Sequence, residues 1–252
     1  MDKKSEKYLI ISDLHVPDHD IKTLALVLKF ISYYQPDYLD ILGDFVNFTK
    51  ASKFDQDPYY KTDLADEIEE GRGILKQIVK EAGKAQISWY EGNHEVRLTK
   101  YLGRNAQALA NLTADDEFIV SIPHLFELKK LGIRWIKSDR LIQRHNVTFF
   151  HGQAVRIKSG FSAHANIDKF GTSGFTGHTH RLAHITRTQS GNTKFWIETG
   201  CLCTSSGGAM GYVTSPDWAQ GFAIAEYTNG QWYSQIIPII NHSFMYGGKL
   251  FS

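Results

Sequence analysis

The first hundred or so residues alternate between short, mostly apolar runs and longer stretches with helical periodicity, and this alternation strongly restricts the fold. Residues 8–11, 38–42 and 86–90 have the length and composition of strands that are buried on both faces. The apolar spacing predicts helices at about residues 24–34, 63–82 and 96–109. Strand, helix and strand in this order predict right-handed crossovers and a parallel sheet.

The pattern changes after residue 132. Short strand-like runs at residues 133–136, 141–143 and 147–150 predict a meander, and residues 160–174 a helix and a loop. Further strands are predicted at residues 185–187, 195–199, 222–227 and 231–239, with Asn229-Gly230 as a hairpin turn. We therefore expect one domain of class α/β over residues 1–252, with two packed sheets covered by helices. Residues 111–132 are either a cap insertion or a plain connection.

Charge and hydropathy exclude some classes of protein. The 28 Lys and Arg residues nearly balance 27 Asp and Glu residues, so no overall charge draws the chain to nucleic acid or membrane, although a local basic groove remains open. The N-terminal residues are charged, and no apolar run suits a signal peptide or a membrane span, which predicts a cytoplasmic protein. Cys201 and Cys203 are expected to be buried free thiols.

Five strand-like runs end in side chains that can bind a metal. These side chains are Asp13 and His15, Asp44, Asn93, His151, and His178 with His180. The carboxyl ends of strands are where open α/β sheets bind ligands, so we expect the five exits to meet in one crevice. Mixed carboxylate, amide and imidazole donors suit Mn, Fe or Zn better than Mg, and a shared carboxylate can hold two such ions about 3.5–4 Å apart.

Taken together, the motifs resemble those of the calcineurin-like metallophosphoesterases, and the size of the chain resembles the small stand-alone bacterial or phage members. The motifs, in chain order, are Asp13-Leu14-His15, Gly43-Asp44, Gly92-Asn93-His94-Glu95, His151-Gly152 and Gly177-His178-Thr179-His180. The resemblance spans roughly residues 8–200. It implies a four-layer αββα sandwich of two mixed sheets flanked by helices.

The resemblance also implies a role for each motif residue. One divalent ion would be held by Asp13, His15, Asp44 and His180, and a second by Asp44, Asn93, His151 and His178. Manganese is expected first, with Fe, Zn or Ni as alternatives. His94 would protonate the leaving group, and Asn47 stands where some relatives have an Asp that orients this histidine. Arg97 would either clamp the phosphate or be a solvated surface charge.

The implied reaction is direct hydrolysis of a phosphate ester by a metal-bridging hydroxide. Asn47-Phe48-Thr49 stands in place of the Asp-Arg-Gly continuation of the protein phosphatases, which favours a phosphodiester of a nucleotide or nucleic acid. The alternatives are a nuclease, a phosphomonoesterase or protein phosphatase, and a catalytically silent binding module. Glu198-Thr199-Gly200-Cys201 replaces the usual Asn-Pro-Gly-Ser, so the resemblance does not specify the wall of the site beside His180.

Other polar and aromatic residues have simpler interpretations. Glu95 is explained by a favourable interaction with a helix N-terminus, and Arg181 by a solvated surface position. Surface or capping roles are expected for His19, His124, His145, His164, His184 and His242. Core and sheet-surface positions are expected for Trp218, Phe222, Tyr227, Trp232 and Tyr233.

Overall fold

A computed structural model describes residues 5–54, 59–114, 116–205 and 215–252. The charged residues 1–4, part of the argument against a signal peptide, lie outside these ranges. Among the described helices, none has the length and apolar character needed to cross a membrane.

The described part of the chain contains strands in both halves. In chain order they are β1 (Glu6–Ile11), β2 (Tyr38–Ile41), β3 (Gln86–Tyr90), β4 (Thr113–Ala114), β5 (Glu117–Phe118), β6 (Arg134–Ile136), β7 (Ile142–Arg144), β8 (Val147–Phe149), β9 (Ser173–Thr176), β10 (Leu182–Gln189), β11 (Asn192–Thr199), β12 (Gly221–Thr228), β13 (Gln231–Pro238), β14 (Phe244–Tyr246) and β15 (Lys249–Phe251).

The longer helices lie in the first half. The helices are α1 (Ile21–Tyr34), α2 (Leu64–Ala82), α3 (Glu95–Asn105), α4 (Gln107–Ala110), α5 (Ile122–Leu125), α6 (Leu128–Leu131) and α7 (Phe161–Phe170), with a 3₁₀ turn at Thr49–Ala51. Asp20 and Asp63 cap α1 and α2, since each carboxylate accepts backbone N–H groups of the first turn.

Two mixed sheets form the centre of the molecule. The first has the order β13-β12-β1-β2-β3-β6, and the second has the order β10-β11-β9-β8-β7. Strands β1, β2, β3 and β6 run parallel, and so do β8, β9 and β11. The carboxyl ends of β1, β2 and β3 therefore share one edge of the first sheet, as the crossovers predict.

The core is divided by the first sheet. Residues such as Leu9, Ile11 and Trp89 pack against α1, α2 and α3, whereas Tyr8 and Ile10 pack against Phe149 of the second sheet. Helix α7 covers the other face of the second sheet through a smaller cluster. The resulting helix, sheet, sheet, helix order confirms the predicted αββα sandwich.

An ion pair crosses between the two sheets. Arg144 of β7 donates through Nη1 to Oδ2 of Asp40 on β2, 2.6 Å away, and its guanidinium lies over the ring of Tyr38. Asp40 is completely buried, and Tyr90 donates its hydroxyl hydrogen to the other carboxylate oxygen. Two charged groups buried between sheets require this mutual pairing.

Several predicted elements differ from the structure. The predicted meander is wrong, because β6 pairs with β3 in the first sheet while β7 and β8 form a hairpin in the second. The helix predicted at residues 96–109 is interrupted at Ala106, where φ is −148°. The hairpin at Asn229-Gly230 is confirmed, and both residues have the positive φ that its tight turn requires.

The described part of residues 111–132 consists of short elements, with Ser121 at the start of one helix and Gly132 at the end of another. They comprise β4 and β5, which pair with each other, followed by α5 and α6. Ile122, Phe126 and Leu128 are buried in the helix-side core, and the ring of Phe126 meets that of Trp89 at 5.1 Å. The segment is therefore anchored to the core, and a role as a substrate cap stays a prediction.

Candidate metal centre

The loops after five strands bring the predicted metal ligands to one edge of the sandwich. Strands β1, β2 and β3 lead to Asp13 and His15, Asp44, and Asn93, and strands β8 and β9 lead to His151, and His178 with His180. Most of these side chains are buried, whereas Asn93 is exposed and His178 partly exposed. The site thus opens to solvent on the side of Asn93 and His178.

Asp13, His15 and His180 form one group at this edge. The Nε2 atoms of the two histidines are 3.0 Å apart, and Oδ1 of Asp13 lies 3.3 Å from Nε2 of His180. One ligand atom from each residue lies within 4.8 Å of the others, which is close enough for a single cation to contact all three.

Asp44, His151 and His178 form the second group, also within 4.8 Å. Oδ2 of Asp44 is 3.2 Å from Nε2 of His151, and Oδ1 of Asn93 is 3.1 Å from the same nitrogen. Oδ2 of Asp44 is also 3.9 Å from Nε2 of His15, so this carboxylate lies between the two groups. The arrangement has the partition that the resemblance implies, and ligation itself stays a prediction.

The outer hydrogen bonds of two histidines fit metal binding. Nδ1 of His15 contacts Oδ1 of Asn47 at 2.9 Å, and Nδ1 of His151 contacts the carbonyl oxygen of Leu42 at 2.6 Å. Because both partners accept hydrogen bonds, Nδ1 donates in each ring and Nε2 faces the centre. A ring fixed in this way is characteristic of metal-binding histidines.

The backbone at this edge is strained. Left-handed φ values occur at five of the seven predicted ligands: Asp13 (54°), His15 (55°), Asp44 (48°), His178 (69°) and His180 (57°). This region is unfavourable for residues with a side chain, at about 1–3 kcal/mol each, and such residues cluster at functional sites. The left-handed backbone at these residues therefore lowers the stability of the folded state at the positions whose side chains converge.

Glu95 holds the loop that carries Asp44. Its buried carboxylate accepts hydrogen bonds from the backbone N–H groups of Gly92, Asp44 and Phe45 at 2.7–2.9 Å, and a longer one from Val46. A favourable interaction with the dipole of α3 is therefore an incomplete account of this residue. Glu95 joins the exits of β2 and β3, and burial together with the nearby Asp44 carboxylate raises its pKa to about 7.

His94 is fixed by Arg97, which lies one helical turn along α3. Nη2 of Arg97 is 2.8 Å from Nε2 of His94, and Nη1 donates to the carbonyl oxygen of Asn47 at 2.8 Å. A guanidinium has no acceptor, so Nε2 of His94 accepts and the proton of the neutral ring is on Nδ1. Nδ1 is buried and has no partner among the described residues.

The side chain of Asn47 binds a different histidine from the expected one. Its Nδ2 donates to Oδ2 of Asp18 and to the carbonyl oxygen of His15, and its Oδ1 contacts the ring of His15. Asn47 therefore positions His15 directly, and it reaches His94 through Arg97 rather than by its own side chain.

The pKa values of the site reflect concentrated negative charge. Burial lowers the pKa of His151, but the attraction of Asp44 outweighs burial and raises it to about 10. The pKa of His180 is also raised, because Asp13 overcomes the effect of burial. Burial lowers the pKa of His15 and of His178 to about 4. A proton on His151 thus balances carboxylate charge that a cation would otherwise neutralise.

The segment that departs from the family pattern completes the wall beside His180. Buried Glu198 accepts hydrogen bonds from the Thr179 hydroxyl and from the N–H of Ala163, which fixes the turn between His178 and His180. Cys201 and Cys203 are free and buried, as predicted, and their sulfur atoms can approach a ligand atom of His180 within 4.8 Å.

Two surface assignments are wrong. Arg181 is only 9% exposed and pairs through Nε with Oδ2 of Asp217 at 2.7 Å, so it is not a solvated charge. His19 is only 8% exposed and lies 3.7 Å from a carboxylate oxygen of Glu70. Neither residue follows a strand directly, so the sequence offered no signal for its burial.

A family model described as "Calcineurin-like phosphoesterase" matches residues 6–182, well over half of the chain. The chain belongs to this family. Membership and the grouped Asp and His side chains together support metal-dependent hydrolysis of phosphate esters.

Similar proteins include the Gene 54 proteins of Mycobacterium phage L5 and Mycobacterium phage D29. They are 27% identical over 265 residues and 26% identical over 263 residues, and each match covers 98% of both chains. The crystal structure of Chaetomium thermophilum Vps29 has a TM-score of 0.50 and 11% identity, over 94% of this chain and 92% of that one. At this identity the likeness concerns the fold alone.

Metal binding is expected to weaken as the pH falls. The metal-free protein carries a proton on His151, whose pKa is about 10, and this proton must leave before Nε2 can bind a cation. Between about pH 6 and 9, the logarithm of the Mn²⁺ association constant should rise by about one or more per pH unit. Calorimetric titrations in buffers of different ionisation enthalpy would measure the protons released, and a pH-independent affinity would contradict the expectation.

A methyl group at Gly92 is expected to displace Asp44. A Cβ at this position would overlap with the carboxylate and backbone nitrogen of Asp44 and lie 2.8 Å from Oε2 of Glu95. Gly92→Ala should weaken metal binding by about 10–100-fold, the usual effect of disturbing the outer contacts of a metal site. The matched control is Gly103→Ala in α3, where a Cβ meets no atom within 4 Å. Equal Mn²⁺ affinities for both variants would count against the argument.

Proposed function

We propose that this calcineurin-like phosphoesterase is a phosphodiesterase that acts on nucleotides or nucleic acid and uses two divalent cations. The observation that carries the proposal is the position of Asp44 between two groups of ligands, with His94 beside it. One group contains Asp13, His15 and His180, and the other contains His151 and His178. When Asp44 is shared, each group has enough ligand atoms to hold one cation.

The donor set also supports a choice of metal. Each group contributes two imidazole nitrogens beside its carboxylates, which favours Mn²⁺, Fe²⁺ or Zn²⁺ over Mg²⁺. When bound, such cations would neutralise phosphoryl oxygens and lower the pKa of a water molecule to about 7. We expect Mn²⁺ to support the highest activity.

The residues of the chain have distinct tasks in this reaction. Asp13 and Asp44 supply the negative charge that retains the cations, and Glu95 fixes the loop of Asp44. His94, neutral because burial holds its pKa well below the usual range, keeps a proton on Nδ1. We assign to His94 the protonation of the departing oxygen, because its Nε2 lies 3.8 Å from Oδ2 of Asp44. The ring must first bind a second proton, which the negative charge of a bound phosphate favours, and it returns to the neutral form when that proton is transferred.

The preference for diesters is supported by the loop that follows Asp44. Phe48 and Thr49 stand where the Arg-Gly of an Asp-Arg-Gly continuation would be, and both are buried. Their backbone N–H groups donate to Glu67, and neither of these two buried side chains supplies a cation to a phosphate. A diester carries one negative charge fewer than a fully ionised monoester and has less need of such a cation.

The phage relatives support a setting for the activity. Two similar proteins that span nearly the whole chain are encoded by mycobacterial phages. We propose that the enzyme is phage-encoded and acts in the cytoplasm of the infected cell.

Hydrolysis of two chromogenic esters tests the proposal. Bis-p-nitrophenyl phosphate should be cleaved faster than p-nitrophenyl phosphate, with Mn²⁺ more effective than Mg²⁺. A faster monoester reaction would favour a phosphomonoesterase or protein phosphatase, and salt-sensitive cleavage of long DNA would favour a nuclease. Turnover of neither ester with any divalent metal would favour a binding module.

A further inference from the structure

A pocket of about 260 Å³ adjoins the open side of the metal centre. Asn93, His151 and His178 line its inner end. Its outer wall contains three exposed cations, Lys100 of α3 and Lys137 and Arg140 of the loop after β6. The pocket thus extends from the predicted metal ligands to a basic wall.

The basic wall is held to the motif that carries Asn93. Glu91, two residues before Asn93, donates its N–H to the carbonyl oxygen of Ile136 at 2.8 Å. Its Oε2 accepts hydrogen bonds from the N–H and the hydroxyl of Ser138 at 2.9 and 2.7 Å. The loop of Lys137 and Arg140 therefore keeps a fixed position relative to the metal centre.

The cations of this wall are available to a ligand. None of the three forms an ion pair with an acidic side chain in the described parts of the chain. Glu91 also lines the pocket with one negative charge, against the three positive charges of the wall, and its Oε2 accepts both hydrogen bonds from Ser138. Asp139 belongs to the same loop and is absent from the pocket lining. An anion beside the scissile phosphate would thus meet positive charge on several sides.

We propose that this pocket is a subsite for a second phosphate group carried by the substrate next to the scissile one. The inference rests on the proposed phosphodiesterase function. It narrows the substrate class to short nucleotides that carry at least two neighbouring phosphate groups. A volume of about 260 Å³ is below the range of about 300–1,000 Å³ typical of drug-sized ligands. It suits a single phosphate with its adjoining sugar better than a protein loop.

Dinucleotides with and without an extra phosphate test the subsite. Equilibrium binding to the metal-free protein is measured for a thymidine dinucleotide and for the same dinucleotide with a terminal 5′ or 3′ phosphate. One phosphorylated form should bind about tenfold more tightly, as expected for a charge-assisted contact. The kcat/KM of the Mn²⁺ enzyme should show the same preference. A pyrophosphate-linked dinucleotide distinguishes a phosphate anhydride from a nucleic acid chain as the source of the second phosphate.

The variant Lys137→Ala/Arg140→Ala should remove this preference and leave the hydrolysis of bis-p-nitrophenyl phosphate unchanged. Lys129→Ala/Lys130→Ala is the matched control, because it removes the same charge from an exposed pair that lines a different pocket. Lys100→Ala, on a separate element, is a second variant and should reduce the preference in part. Equal binding of all dinucleotides by the wild type, or an equal loss on every substrate in the variant, would overturn the subsite. If the wild type did not hydrolyse bis-p-nitrophenyl phosphate, this result would instead count against the proposed phosphodiesterase function.

Discussion

Asp44→Asn is expected to reduce kcat/KM by roughly 10³-fold or more, since metal catalysis supplies several kcal/mol and each 1.36 kcal/mol is tenfold in rate. The carboxylate lies 3.2–3.9 Å from the ring nitrogens of His151, His94 and His15. An amide has no charge to hold two cations together and turns N–H donors towards the site. Metal content per folded molecule, measured by elemental analysis, should fall in parallel with activity.

The control for this variant is Asp40→Asn on β2, the strand that leads to Asp44. Asp40 is also buried, but it pairs with Arg144 between the sheets and lies outside both ligand groups. Breaking a buried ion pair costs about 3–5 kcal/mol, so the free energy of unfolding should fall while the folded molecules keep their metal. An Asp44→Asn protein with the metal content of the wild type would show that this carboxylate is not shared.

His94→Ala is expected to reduce kcat by about 10²–10⁴-fold on substrates with a poor leaving group, the usual contribution of a general acid. Nε2 is the nitrogen of His94 that lies near Asp44, and the proton to be transferred is bound there once the ring takes up a second proton. A departing alkoxide of a nucleotide needs this proton. A p-nitrophenolate ion is stable without it, so the loss should be much smaller for bis-p-nitrophenyl phosphate.

The comparison of leaving groups distinguishes proton donation by His94 from a role of His94 in positioning the substrate or the metals. Arg97→Ala keeps the imidazole of His94 but removes the hydrogen bond that fixes it. Its kcat should fall less than that of His94→Ala, and the fall should again be larger for the substrate with the poorer leaving group. Metal content should stay unchanged in both variants. An equal loss on both esters would mean that His94 positions the substrate or the metals and does not donate a proton.

The sequence predicted the convergence of the site because strand exits are a local signal. Each apolar run ends where a polar side chain such as Asp13, Asp44 or Asn93 begins, and parallel strands bring their ends to one edge. The hairpin at Asn229-Gly230 was equally local. Both conclusions needed only the residues of one element and its turn.

Features that depend on distant pairing were not predictable in the same way. Strand β6 has the same kind of pattern as β7 and β8, and its pairing with β3 depends on packing across the chain. The role of Glu95 depends on backbone groups about fifty residues earlier, and no spacing rule connects them. Likewise, the side chain of Asn47 contacts His15, which lies 32 residues earlier in the chain, and no local pattern distinguishes this partner from His94.

The division of the site between the two sheets has a mechanical consequence. Asp13, Asp44 and Asn93 come from loops of the first sheet, whereas His151 and His178 come from loops of the second. Any cation held by Asp44 and His151 together would act as a cross-link between two halves that also meet through apolar packing, the pair of Asp40 with Arg144, and hydrogen bonds such as that of His151 with the carbonyl oxygen of Leu42. A chelator would then loosen the sandwich at this edge, so that loss of the metal and separation of the layers become parts of one unfolding event.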